Sequence, residues 1–496
     1  MLLPLFGAGF LARSGVSARK ASAATLVWFM VSTVWIGGMG NGSSFVLPWL
    51  PDAGMELRFT IDGLSWLFLM LTGIVLSASA ALMLISGTAE RGMTALMLVL
   101  QSALIGVFTA RHFIPWFLCW EMTLLPGYFL IRLWGGTGAK TAARRFMLMT
   151  LGGSALLLVG FLAIQVSVGT MDFQILATRA HDGLLADNLQ RSFAFTGASG
   201  HSVLTIIALM FFVGLAVKLP VVPFHAWLPN AYVEAPTPVT MLLTGLLSKM
   251  AVFSMLRIFL PVFSEVLPAL APLLIWLAVL TILLGAVAAM AQTDLKRMLA
   301  YSSVNHLGYC ALALAAVAHG TGDRATVTAA VSGTVLQAFN HGIIATALFF
   351  GLGLLEQRGK GSRGLNDFGG LRTRMPVFTG AFGLAVFASL GLPGLSGFVG
   401  EFLMFRGAFA VTPGATALAV PGLLFTAVFL LRMLRLVFWG PLCERATRWR
   451  DLNQLERCVF ALLILLIVLP GLSPGVLLNF ANPDIVKLVD LLPMKP

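Results

Sequence analysis

The chain has 496 residues, 58% of them hydrophobic and only 10% charged, a balance that excludes an ordinary soluble domain and points to a polytopic membrane protein. Its 32 lysines and arginines against 20 aspartates and glutamates give a formal net charge of +12, but the basic residues sit mostly between apolar runs, where they record membrane orientation rather than nucleic-acid binding. Cys119, Cys310, Cys443 and Cys458 form no CxxC or CxxCH pattern and have no metal-ligand spacing with histidine, so a disulfide framework, a c-type haem and a zinc site are all unsupported.

At about 20 apolar residues per crossing, the pattern predicts an all-α protein of about fourteen transmembrane helices, centred near residues 7, 29, 73, 101, 123, 155, 212, 248, 280, 309, 342, 392, 426 and 469. Met1 to Ala12 is apolar with no basic region before it, and no small-residue cleavage pattern precedes Arg13, so it reads as a short first span rather than a removed signal. The odd-numbered loops carry Arg13, Arg19 and Lys20, then Arg132, Lys140, Arg144 and Arg145, then Arg358, Lys360, Arg363, Arg372 and Arg374. The even-numbered loops hold Asp52 and Glu56, or Asp172, Asp182 and Asp187 against only Arg179 and Arg191. The positive-inside rule then places both termini outside the cytoplasm. The longest extramembrane stretch, about Gly169 to Gly200, is too short for a separate catalytic domain.

Two spans read as broken helices. In Lys218-Leu-Pro-Val-Val-Pro-Phe-His225, Pro220 and Pro223 each remove a backbone donor and crowd the preceding turn. The second break is Gly391-Leu-Pro-Gly-Leu-Ser-Gly397, followed by Glu401. Both adjoin an ionisable residue, and they lie five spans apart. Paired interruptions of this kind point to two inverted five-helix repeats with an ion path at the midplane. The expected division is residues 1–90 for the first three spans, 91–260 and 266–440 for the repeats, and 441–496 for a last span and tail.

Six ionisable side chains lie inside these apolar stretches, where a charge costs at least about 2.5 kcal/mol and usually marks an ion path. Glu121, flanked by Trp116-Phe-Leu-Cys-Trp120 and Met122 to Leu125, has no charged neighbour in sequence; Lys218 is its candidate partner. A fixed ion pair locking two helices and a pair whose strength changes are both open readings. Lys249 is too far from either end of its span to reach water easily; it is either a proton relay or a lysine bonded permanently to helix carbonyls. His306 follows Ser302 and Ser303 by four and three residues, and His341 follows Gln337 by four, so each imidazole has polar company on its own helix face. Imidazole both gives and accepts a proton near neutrality, although a lone histidine on an apolar helix is often a packing residue. Glu401 reads as an exit group or an ion-pair partner. Asp294, Lys296 and Arg297 read as a charged cytoplasmic turn, and no Walker or GxGxxG context supports nucleotide binding.

Phe117-Leu-Cys-Trp-Glu-Met-Thr-Leu-Leu-Pro126, Lys218-Leu-Pro-Val-Val-Pro-Phe-His-Ala-Trp-Leu-Pro-Asn-Ala-Tyr-Val-Glu-Ala-Pro236, Asp294-Leu-Lys-Arg-Met-Leu-Ala-Tyr-Ser-Ser-Val-Asn-His306 and Gly391-Leu-Pro-Gly-Leu-Ser-Gly-Phe-Val-Gly-Glu401 resemble the antiporter-like proton-pumping subunits of respiratory complex I, over nearly the whole chain. Glutamate at Glu401, and His341 within Asn340-His-Gly-Ile-Ile-Ala-Thr-Ala-Leu-Phe-Phe350, resemble the M type, also called chain 4. Asn230 departs from the pattern, which commonly has aspartate there.

The resemblance implies a subunit of NADH:quinone oxidoreductase that moves protons in a bacterial inner membrane. Glu121 and Lys218 would be the modulating pair, Lys249 the central relay, His306 and His341 the lateral link, and Glu401 the outlet. It implies no cofactor in this chain: FMN, iron-sulfur clusters, NADH and quinone would belong to partner subunits. The partners would be the other membrane subunits, above all neighbouring antiporter-like ones, and the lipid bilayer. A multisubunit sodium/proton antiporter and an energy-converting membrane hydrogenase are the alternatives that share this fold and nearly these residues.

Overall fold

The computed structural model describes residues 1–13, 15–39, 42–50 and 55–494; Asp52, used above for orientation, lies outside them. Eleven helices among the described residues are long and apolar enough to cross a membrane. Three further predicted spans are also helical but fall outside that measure of length and hydropathy: Leu2–Arg13, Leu295–Ala318, and the pair Pro376–Ser389 and Ser396–Val411. Helices such as Ala18–Gly38 and Gln454–Leu472 turn large apolar side chains outward, Val34, Trp35 and Leu465 among them. That outward apolar surface suits lipid, because lipid gives no reason to hide it.

The helices Thr237–Val262 and Arg324–Arg358, in contrast, have their most apolar windows wholly buried. They form the protein's axis, and they carry Lys249 and His341. The first is not a regular α-helix. Its hydrogen bonding widens into π-turns at Leu243–Leu247 and Met255–Phe259, a distortion that frees backbone groups and often accompanies function.

Both predicted breaks are present. The helix Gly200–Lys218 stops at Lys218, and Trp227–Glu234 begins after Pro220 and Pro223. Pro376–Ser389 stops before Gly391, and Ser396–Val411 resumes beyond it. Gly391 takes φ +71°, a left-handed turn that only glycine adopts without strain.

Three features add to the sequence reading. A β-hairpin follows the second helix, with β1 (Ser43–Leu50) antiparallel to β2 (Met55–Ile61) and Phe45 opposite Phe59. The chain is therefore nearly, not wholly, helical. The stretch expected to be a loop between residues 169 and 200 folds into Phe173–His181 and Leu184–Ser192. The expected tail contains a further helix, Gly475–Asp490, whose Phe480 stacks on Trp66 at 4.3 Å.

Candidate functional site

The π-turn at Leu243–Leu247 sets the position of Lys249. Its ammonium donates to the Thr244 carbonyl at 2.6 Å, five residues back, and to Ser248 Oγ at 3.2 Å. Its third proton points across to the other axial helix and reaches His341 Nδ1 at 2.7 Å. An ammonium is donor only, so with Lys249 charged this nitrogen accepts, and the imidazole proton sits on Nε2. Lys249 is fully buried and no carboxylate touches it among the described residues. Neutral dipoles alone hold the charge.

His306 stands beside His341, with ring centroids 5.4 Å apart and planes tilted by 47°. The rings do not bond directly. A small cavity of about 10 Å³ adjoins His341, lined also by Ser302, Ser303 and Ser389 among apolar neighbours; its volume is about that needed for one water. His306 Nδ1 lies 3.1 Å from Glu401 Oε1, and its Nε2 lies 3.2 Å from Ser389 Oγ. Ser389 is the last residue before the second break. The break itself shapes the Glu401 pocket, because a Cβ at Gly391 would come within 2.7 Å of Glu401 Oε2. Lys249, His341, His306 and Glu401 thus form one row, drawn from four separate helices.

The local partners expected on each helix are partly redirected. Gln337 does not serve His341; its amide donates to Glu401 Oε1 at 3.2 Å. Asn340 Nδ2 bonds the Ser396 carbonyl at 2.7 Å, tying the histidine helix to the far side of the break. Ser303 Oγ meets Thr244 Oγ1 at 3.2 Å. Sequence reasoning missed Ser389 and Thr244, since hydroxyls in a helix carry no signal until the neighbouring helix is known.

Glu121 and Lys218 lie apart from this row and form no direct ion pair among the described residues. Lys218 is buried, with its ammonium 3.8 Å from the Trp120 ring centroid and donating to the Trp120 carbonyl at 3.4 Å and Thr123 Oγ1 at 3.2 Å. A cation over an indole face gains about 2 kcal/mol when desolvated. Glu121 is half-buried, its Oε1 unbonded among the described residues, and acts on Lys218 only through space. Trp120 stands where the expected partner carboxylate would have been.

Two charged clusters escaped the sequence reading. Lys296 is not part of an exposed turn: it is buried, donating to the Ala235 carbonyl at 2.6 Å and Thr237 Oγ1 at 3.0 Å, with Glu356 Oε1 at 3.8 Å. It thereby satisfies a carbonyl freed where Pro236 and Pro238 interrupt the chain. At the opposite ends of the spans, Asp62 caps the helix Gly63–Ser86 and receives Arg111 and Arg257 on the same oxygen, Oδ2, each at 2.6 Å. Burial opposes ionisation of Asp62, yet Arg257 and Arg111 outweigh it and hold the carboxyl well below its ordinary range. Arg111 is pushed down to about 10, by burial first and then by the charge of Arg257, with Asp62 counteracting both.

Comparison with known proteins places this geometry in context. The profile of a family described as NADH:quinone oxidoreductase/Mrp antiporter, TM matches residues 110–427. The chain is 33% identical to NADH-quinone oxidoreductase subunit M of Rhodobacter capsulatus, over 98% of this chain and 95% of that one. It is also 33% identical to F(420)H(2) dehydrogenase subunit M of Methanosarcina mazei, over 89% and 86%. Among solved structures it is similar to a chain of respiratory complex I from Thermus thermophilus with bound NADH, with a TM-score of 0.85 and 27% identity across 99% of this chain and 98% of that one.

Proposed function

Because the chain belongs to the NADH:quinone oxidoreductase/Mrp antiporter transmembrane family, we propose that it works by passing protons along the row Lys249, His341, His306 and Glu401. It is a multi-pass subunit of a complex I-type quinone oxidoreductase, assembled with the other membrane subunits of that enzyme. The observation that carries the mechanism is the 2.7 Å contact between Lys249 Nζ and His341 Nδ1.

A proton leaving Lys249 for His341 Nδ1 turns the ammonium into an amine and the ring into an imidazolium. The imidazolium then gives its Nε2 proton into the small serine-lined cavity, Ser389 passes one to His306 Nε2, and His306 delivers its Nδ1 proton to Glu401. Glu401 releases it at the second break, towards the side on which both termini lie. Reprotonation of Lys249, with the return of both imidazoles to their starting tautomers, resets the row. Lys218 and Glu121 serve the other break as the modulating pair: with Trp120 and Thr123 holding Lys218, a change of charge at Glu121 shifts the lysine electrostatically, without a bond being broken. The two breaks, five spans apart, support the inverted-repeat reading of this division of labour. Redox centres and quinone belong to partner subunits on this reading, and the coupling to this chain is electrostatic or conformational.

The similarity to an F(420)H(2) dehydrogenase subunit favours a second reading for the electron donor alone. The proton row is indifferent to whether the complex takes electrons from NADH or from F(420)H(2).

Lys249→Ala in the assembled complex tests the mechanism, with proton pumping in sealed vesicles followed beside quinone reduction and assembly. Pumping is expected to vanish, with turnover slowed and assembly intact. Unchanged pumping would make the Lys249 charge structural and end the relay.

A further inference from the structure

Where the hairpin, the start of Gly63–Ser86, the turn before Phe113, the helix Phe173–His181 and the last helix converge, they enclose a cavity of about 490 Å³. The proton row does not use it. Its wall carries the guanidinium groups of Arg58, Arg111 and Arg257, with Lys487 at the rim. Three carboxylates face them, and all three are committed to backbone: Asp62 accepts from Ser65 N at 2.9 Å, Asp172 from Gln174 N at 2.8 Å and Ile175 N at 3.1 Å, and Asp484 from Gly63 N at 2.7 Å. Arg111 and Arg257 must share one oxygen of Asp62. Arg58 is paired with Asp172 at 3.4 Å and Glu56 at 3.9 Å, and Lys487 with Asp484 at 3.8 Å, so the surplus lies at Arg111 and Arg257, two guanidinium groups on the single carboxylate of Asp62. Arg257 Nε is buried and has no partner among the described residues. An unbalanced guanidinium out of bulk water is costly unless an anion completes it.

We propose that this cavity binds a phosphate oxyanion, carried by an anionic phospholipid headgroup or free in solution. A guanidinium fork matches phosphate oxygens in pairs, and Arg257 presents an unused N–H there. The cavity lies at the ends of the spans Gly63–Ser86, Arg91–Thr109 and Thr237–Val262, the level at which lipid phosphates sit. Leu256, Leu488 and Leu491 on the wall offer an apolar bed to the start of an acyl chain.

The test uses the intact complex, washed of loosely held lipid and returned to phosphatidylcholine bilayers with or without phosphatidylglycerol; retained phospholipid is counted by native mass spectrometry. In parallel, complex in detergent is titrated with inorganic phosphate and its thermal unfolding followed. Wild type is expected to hold phosphatidylglycerol about tenfold more tightly than Arg257→Gln, with Arg257→Lys, which keeps the charge but loses the fork, in between. Protection by phosphate without lipid retention assigns the site to the free ion, and retention without protection assigns it to lipid; either outcome upholds the oxyanion site. Lys487→Gln, at a side chain 78% exposed, weakens binding about threefold and carries the test should Arg257→Gln fail to assemble. Equal binding by wild type and by whichever variants assemble overturns the proposal. So does loss of a neighbouring subunit from Arg257→Gln with neither ligand affected, since a partner side chain would then be the occupant.

Discussion

Two groups of buried charge, on the same axial helix, are built on opposite plans. At one end of Thr237–Val262, Arg257 meets Asp62 at 2.6 Å and Arg111 meets the same oxygen at the same distance. In its middle, Lys249 meets a carbonyl, a hydroxyl and an imidazole, and no carboxylate among the described residues. Opposite charges in contact fix each other, because moving a proton between them would leave two desolvated groups worse off. A cation held by neutral groups has no such lock. One of those groups, His341, presents a ring nitrogen that can accept its proton. The contrast separates charge that holds the fold from charge that does work, and counting buried ionisable residues alone would miss it.

Each group of charges fails in its own way when one member is removed. The largest effect is expected in the row: Glu401→Gln preserves volume and the Gln337 neighbour but removes the final acceptor, so vesicle pumping falls about a hundredfold or more, a loss of the order produced by removing a positioned acid or base, with assembly unchanged. Asp62→Asn has the complementary signature. It leaves two guanidinium groups with no carboxylate between them, costs about 3 kcal/mol, and lowers the yield of assembled complex on native gels, while what assembles pumps normally per quinone reduced. Equal defects in pumping and assembly for both variants would erase the distinction.

Gly391→Ala is a smaller perturbation of the row. A left-handed alanine costs about 1–2 kcal/mol, and its Cβ would crowd Glu401 Oε2; pumping drops a few-fold, with Glu401 displaced rather than lost. The smallest effect sharpens the static side. Asp62 titrates below its ordinary range in the folded protein, so its stabilising contribution is complete above its unfolded value of about 4 and is lost only as pH falls through the lower, folded value. The gap in thermal stability between wild type and Asp62→Asn should stay constant from pH 8 to pH 5 and narrow only under acid conditions. A gap that changes near neutrality would mean that Asp62 exchanges protons in the working range.

Much of this was legible in the sequence, for reasons that can be named. Apolar runs of membrane length mark the helices, and prolines within Lys218 to Pro223 mark a break because a missing N–H and a ring clash are local effects. The six ionisable residues stood out because apolar neighbours in sequence become apolar neighbours in space along a helix. Contacts between helices were not legible. Lys249 and His341 are 92 residues apart, and nothing around either names the other. The π-turn at Leu243–Leu247 is built from ordinary helix formers, so its existence depends on packing. Lys296 misled in the opposite direction: between Asp294 and Arg297 it resembles a surface charge, and only the carbonyl of Ala235, 61 residues away, draws it inside. Glu121 and Lys218 are conspicuous as charges in apolar runs, whereas the Trp120 indole, which the Lys218 ammonium meets at 3.8 Å, carries no such signal.

The wide turn at Leu243–Leu247 also sets the helix's angular phase. A π-turn holds one residue more than an α-turn, and each residue of a helix advances about 100° around the axis. Everything beyond residue 247 is therefore clocked round relative to an unbroken helix starting at Thr237. Lys249 faces His341 only with that extra residue in place. Moving the wide turn to beyond residue 249 would swing the lysine to another face while leaving both ends of the helix anchored, so that the contact depends on the phase of a helix that stays in its place.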